Sequence, residues 1–171
     1  VNNGGDIALA LGHGARFAIG IVADPRDGRV VGRLTIGHGD GIGGIATSGR
    51  HGRSLSLGIA DAVTVLAADA AAADAAATLI ANAVDLPGSA KVHRVPAQAV
   101  ACDSDLGDRL VTAGVDPLSA DEADRALARG ADAARAMLAR GLIAGAALCL
   151  DRRVATVGGE GRFVPDAPQL H

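Results

Sequence analysis

The stretch from Ala67 to Ala77 is alanine throughout except for Asp69 and Asp74. Alanine loses least on entering a helix, so this stretch can hardly be anything but helical. The segment before it, Val63-Thr64-Val65-Leu66, is β-branched and apolar and reads as a strand of about 62–66. A strand therefore runs directly into a helix, with Asp69 placed to cap it and Leu86-Pro87-Gly88 stopping it after about Val84. Within the helix Asp74 and Thr78 stand at i and i+4, which brings a carboxylate and a hydroxyl onto one face. Two hard oxygen donors in that arrangement suit Mg²⁺, which takes one or two protein ligands and completes its octahedron with water and phosphate. Taken alone, the same spacing also fits an ordinary alanine helix with an exposed Asp.

The rest of the chain alternates short strands and turns before a second long helix. Ile7–Leu11, Arg16–Ala23 and Val30–Ile36 read as strands, with Asp24-Pro25-Arg26-Asp27-Gly28 a turn by its chemistry. The glycine-dense run Gly37–Gly44 contains a formal G-x-G-x-x-G at Gly39, Gly41 and Gly44. Ile45–Arg50 opens no helix after it, so the dinucleotide fingerprint is rejected in favour of a flexible hairpin loop. Leu55, Leu57 and Ile59 alternate with small polar residues or glycine, the pattern of a half-buried strand. Leu106–Val111 reads as another strand, and Ser119-Ala120-Asp121-Glu122 as the capping box of a helix ending near Arg140. Ala146–Leu150 and Val154–Val157 form a hairpin through Asp151-Arg152-Arg153, and residues from Gly158 onward read as loose chain. The expected class is α+β, largely antiparallel, with two main helices. One domain spans 1–159 and a loose tail spans 160–171.

Four pieces carry a resemblance. They are Asn2-Asn3-Gly4-Gly5-Asp6, Gly20-Ile21-Val22-Ala23-Asp24-Pro25, Thr47-Ser48-Gly49 and Ala73-Asp74-Ala75-Ala76-Ala77-Thr78. In type and order they resemble the motifs of the ApbE-like flavin transferases (FAD:protein FMN transferases), from about Asn2 to Val84. The longer phrases Gly58–Ala67, Ile80–Gly88 and Asp103–Val111 look like an uncharacterised branch of ApbE-like proteins associated with tetrahydromethanopterin-linked one-carbon transfer. The resemblance implies that Asn2, Gly4, Gly5, Asp6, Thr47, Ser48 and Gly49 contact a flavin nucleotide, and that Asp74 and Thr78 hold Mg²⁺ against its phosphates. It also implies that a further segment, preceding Val1 or on a second chain, completes an otherwise partial domain. One departure stands out. The flavin transferases carry a His-x-x-Asp-Pro-x-Thr-Gly insert where this chain has only Arg50–Ala62, and His51 there reads as a solvated loop residue. No general base can be assigned.

Composition narrows the partners. Phe17 and Phe163 are the only aromatics, and net charge is −3, which argues against a stacking platform for single-stranded nucleic acid. No apolar run approaches the ~20 residues of a membrane span, and no polybasic patch suits a lipid surface. Hydrophobic residues at 49% and charged ones at 20% are those of a chain that folds. Cys102 and Cys149 are too few and too distant for a zinc site and read as reduced, buried thiols in a cytoplasmic protein. His13 and His38, each flanked by glycine, read as exposed. The functional expectation is an FAD-binding protein that transfers FMN to a protein hydroxyl or hydrolyses FAD with Mg²⁺. The alternative is a non-catalytic accessory protein of tetrahydromethanopterin-linked one-carbon metabolism. Its aliphatic strands lead one to expect an exposed apolar face that another segment or further copies of the chain would cover.

Overall fold

The computed structural model describes residues 1–165 except positions 4, 25, 27, 29, 53 and 160. Most of the expected tail lies outside the described residues, but Phe163–Pro165 within it forms a strand. In chain order the strands are β1 (Asn2–Asn3), β2 (Asp6–Ala8), β3 (Arg16–Val22), β4 (Val30–Gly37), β5 (Gly44–Ser48) and β6 (Ala62–Ala67). Helix α1 (Ala70–Ala83), β7 (Val92–Pro96), the short α2 (Ala97–Val100) and β8 (Leu110–Val115) follow. Helix α3 (Ala120–Ala139), β9 (Gly145–Leu150), β10 (Arg153–Gly158) and β11 (Phe163–Pro165) complete the fold. A six-stranded sheet runs β1-β2-β5-β6-β9-β10, a three-stranded one β11-β4-β3, and β7-β8 form a ribbon. Every described pairing is antiparallel. The fold is α+β with two long helices.

The six-stranded sheet is covered on both faces, and its side chains sort accordingly. Ala46, Val63, Val65, Ala146 and Leu148 point to one face and pack with Ala73, Ala77 and Ile80 of α1 and Ala123, Leu127 and Ala134 of α3. Their neighbours Ile45, Leu66 and Ala147 point to the other face and pack with Ile21, Leu34 and Ile36 of the three-stranded sheet. This alternation is the period-2 geometry of a strand. It explains why β6 and β9, buried at every position, carry no polar side chain except Thr64. Leu34 and Ile36 of β4 and Ile21 of β3 are buried against the six-stranded sheet. Phe17 on β3 remains at the 36% exposure level.

Several segments differ from the sequence reading. Strand β5 follows the glycine-dense run and carries residues for which the sequence reading gave no element, and pairing with β2 and β6 makes it a strand. The run itself holds a 3₁₀ turn, His38–Asp40, tied down by Arg162 on the Asp40 carboxylate, and is not a flexible loop. Residues 55–59 form no strand. Their backbone groups are met instead by Asn82, by the end of α1 and by β8: Leu57 N donates to Asn82 Oδ1 at 3.0 Å, Ile59 N to Val84 O at 2.8 Å and Thr112 N to Ser56 O at 2.8 Å. A covered loop satisfied in this way shows the same alternation as a strand. Strand β8 begins at Leu110, later than the expected Leu106, and β7 beside it was not foreseen. No described helix is long and apolar enough to cross a membrane.

Candidate functional site

Helix α1 begins where Asp69 accepts a bond from Ala72 N at 2.8 Å, and it lies across β5 and β6 with contacts to β2. Ala73, Ala76, Ala77, Ile80 and Ala81 form its buried stripe. Asp74 and Thr78 are both exposed, on one flank of that stripe. Ala72 and Ala76, on the opposite flank, pack into the core that α1 shares with α3. Because α3 covers β9 and β10, Asp74 and Thr78 stand on the flank towards the β1-β2 edge of the sheet. No described residue bonds to either side chain. Asp74 is also the only charged residue within α1.

The other expected site residues fall on both faces of the sheet. Ile7 packs in the core opposite the helices, so Asp6, its neighbour on β2, shares the face that α1 covers. Ser48 pairs with Val63 and lies on that helix face too. Thr47 points the other way, where its hydroxyl is 2.9 Å from that of Thr64. Its side chain is thus engaged on the far face, and only its backbone adjoins the Asn-Gly-Gly segment: a Cβ at Gly5 would stand 3.8 Å from the Thr47 carbonyl oxygen. Gly5 N donates to Asn2 Oδ1 at 3.4 Å. Gly4 lies outside the described residues. Gly49 has a structural explanation, since a Cβ there would collide with the Asp61 carbonyl.

A second cluster gathers at the other end of β6. Asp61, just before that strand, accepts from Arg50 Nε at 2.9 Å, His51 Nε2 at 3.2 Å and Asp151 N at 2.7 Å, and Arg50 Nη2 lies 2.7 Å from it. Arg26 Nη2 lies 3.0 Å from His51 Nδ1, and a guanidinium only donates, so Nδ1 accepts and Nε2 carries the hydrogen given to Asp61. Arg26 also grips Asp24 through Nε and Nη2, and these bonds hold the Asp24 carboxyl well below the usual range. These residues, with Arg152, line a recess of about 320 Å³. His51, at 15% side-chain exposure, is therefore an anchored member of a network and not the solvated loop residue expected. Sequence reasoning missed the cluster because its members come from four separate stretches. The one local signal is a carboxylate set directly before an apolar strand.

Cys149 is buried, and its burial, with the Asp61 charge adding, pushes its thiol up to about 11. Cys102 is exposed on the turn after α2, contrary to expectation. His13 and His38 are exposed, with rings 5.6 Å apart. No three described His, Cys, Asp or Glu residues form a metal-binding group. A cation at Asp74 and Thr78 would accordingly have two protein ligands, a donor set suited to Mg²⁺ sharing its shell with water and phosphate.

Comparison with known proteins identifies the lineage. The chain matches the family described as AbpE bacteria over residues 1–162 and belongs to it. A UPF0280 protein of Methanoculleus marisnigri is 41% identical over 136 residues, 68% of this chain and 55% of that protein. UPF0280 proteins of Methanosphaerula palustris and Methanothermobacter thermautotrophicus are 41% and 38% identical over about half of this chain and 35% and 33% of their own length. The chain thus spans from a third to just over half of these relatives. These matches correct the resemblance to the FAD:protein FMN transferases: the family is AbpE bacteria with UPF0280 relatives, whose names assign no activity. The physical reason lies in the motifs themselves, which are short and partly structural. Alanines of α1 pack the core, Gly49 admits the Asp61 backbone, and the His51 segment is bound into ion pairs.

Proposed function

We propose, with that membership as the premise, that this chain forms part of a Mg²⁺-dependent nucleotide-binding protein whose ligand is a flavin nucleotide, FAD or FMN. The observation that carries the reading is the Asp74–Thr78 pair: exposed, on one flank, without a described protein partner, and on a helix with no other charge. A carboxylate so placed is free to share a cation with a ligand's phosphates. Asp6 and Ser48, on the sheet face beneath α1, and the backbone at Gly5 and Thr47 would frame the same side. The bound Mg²⁺ would supply charge neutralisation at the phosphates. A preceding segment or a second chain would complete the pocket around the flavin ring, for which these residues supply few apolar contacts.

Two forms of this reading differ in turnover. In the enzymatic form the pyrophosphate of FAD is broken, with FMN passing to a protein hydroxyl or to water. In the binding form the protein carries its ligand without chemistry, in the setting of tetrahydromethanopterin-linked one-carbon metabolism within the cytoplasm. The position of His51 favours binding. It is held by Asp61 and Arg26 in a recess lined by Asp24, Arg26 and Val31 from the β3–β4 side of the sheet, whereas Asp74 lies on the helix side, so it offers no base beside Asp74.

The test is FAD titration with and without Mg²⁺ on the full-length protein that contains this chain. Mg²⁺ should tighten binding, and Asp74→Ala should weaken it at least tenfold while the circular dichroism spectrum stays unchanged. Binding that is indifferent to both Mg²⁺ and Asp74→Ala would remove the assignment. Release of FMN or AMP during incubation would select the enzymatic form.

A further inference from the structure

The recess at the far end of β6 has unequal hydrogen-bonding capacity. Both oxygens of Asp61 are taken, one by Arg50 and His51 and the other by Asp151 N. Both oxygens of Asp24 are taken by Arg26. On the donor side, Arg152 has no described partner at all, and Arg50 engages Asp61 through Nε and Nη2 alone. The described lining thus leaves the Asp151 carboxylate as its one wholly unengaged side-chain acceptor against the N–H groups of Arg152 and the remaining ones of Arg50, so donors outnumber acceptors and favour an acceptor-rich ligand.

The turn that presents Arg152 is strained. Asp151 and Arg152 have φ of 47° and 64°, a left-handed pair that the β9–β10 hairpin requires but that glycine or asparagine ordinarily supplies. Asp tolerates this region, whereas a long side chain such as Arg adopts it at a cost. The bond from Asp151 N to Asp61 fixes the turn against the recess. Strain that a glycine would relieve, at a position lining a cavity, points to a use for the guanidinium.

We propose that this recess is a binding site for a phosphate group, distinct from the Asp74–Thr78 face, in which Arg152 and Arg50 engage a phosphomonoester. Arg50 after β5 and Arg152 on the β9–β10 turn line the recess from two elements, and a phosphate offers more than two oxygens to such a pair, whereas a carboxylate's two oxygens are filled by one guanidinium fork. A volume of about 320 Å³ exceeds what phosphate alone fills and leaves room for a small organic moiety. Asp151 is the rim carboxylate without a described partner, so it opposes the ligand's charge and sets an upper limit on affinity.

The experiment is titration with inorganic phosphate and with methyl phosphate, in EDTA so that no divalent cation contributes, and with acetate as the planar control. Wild-type protein should bind both phosphates saturably and acetate at least tenfold more weakly. Arg152→Gly should weaken phosphate binding at least tenfold while its melting temperature holds or rises, because the substitution removes the guanidinium and relieves the turn together. Asp151→Asn, which still tolerates the left-handed turn, should tighten binding, and Asp74→Ala should leave it unchanged. Absence of saturable binding, equal affinity for acetate, or full affinity in Arg152→Gly would each overturn the proposal. Failure of the Mg²⁺-dependent flavin titration would leave it standing, since the two sites share no residue.

Discussion

Gly130 sits in the middle of α3, where alanine would normally be the better residue by about 1 kcal/mol. Here a Cβ would collide with methyl groups of Val84 and Leu148, both buried in the core between α3, α1 and the sheet. Overpacking of that kind costs roughly 1–3 kcal/mol, which outweighs the gain in helix propensity. Gly130→Ala should therefore destabilise the chain by about 1 kcal/mol or slightly more, read from urea unfolding followed at 222 nm. A stabilised variant would show that Val84 and Leu148 yield. Legibility at this scale depends on whether a residue's partners are local. Asp74 and Thr78 could be paired from the sequence because four residues on a helix are a fixed geometry. Asp61 could not, because it collects its donors from residues 50, 51 and 151, which only the closed sheet brings together. Thr47 was placed beside the ligand by its motif, yet strand alternation turns its hydroxyl to the far face, a distinction that required knowing that β5 is a strand.

The two long helices were readable to within a residue or two because their ends are chemical signals. At the start of α3, Ser119 accepts from Glu122 N and Glu122 returns a bond from Ser119 N at 2.7 Å, while Lys91 Nζ stands 2.7 Å from the same carboxylate. Lys91, and after it the Ser119 backbone, hold the Glu122 carboxyl down to about 2. The folded value lies below the ordinary 4.5, so this contribution is fully present above that pH and is lost as pH falls towards 2. Glu122→Gln should lower stability at pH 7 and make the fall between pH 5 and pH 2 shallower than in wild type. Ser119→Ala should cost about 1 kcal/mol at neutral pH without altering the acid slope by as much. Parallel acid slopes for wild type and Glu122→Gln would show that Lys91 and Glu122 do not pair in solution. Strands β5 and β7 lacked such end signals. Both are short, and what makes them strands is a partner distant in sequence, Val63–Ala67 for β5 and Leu110–Val115 for β7.

At the scale of the whole molecule, one sheet belongs to two cores. Val65 faces the helices and Leu66, the next residue of β6, faces the three-stranded sheet, so neither core can open without exposing the same strand. The helix layer and the second sheet should consequently melt together even though they share few direct contacts. Ile80→Ala removes a wholly buried side chain from the helix side, and Leu34→Ala removes one from the other side. Each change should cost about 2–5 kcal/mol, equivalent to a drop on the order of 5–15 °C in melting temperature for a chain of this size. Each should displace one common transition, and the double variant should lose close to the sum, because the two sites lie in separate clusters. With no Trp or Tyr in the chain, calorimetry and far-ultraviolet circular dichroism are the appropriate probes. If Leu34→Ala instead splits the melt in two, with helical signal surviving the first step, the three-stranded sheet is a separately unfolding layer. The recess would then fail first, because Asp24 and Arg26 follow β3 directly and would leave with it, while Asp61 and Arg152 stayed on the central sheet.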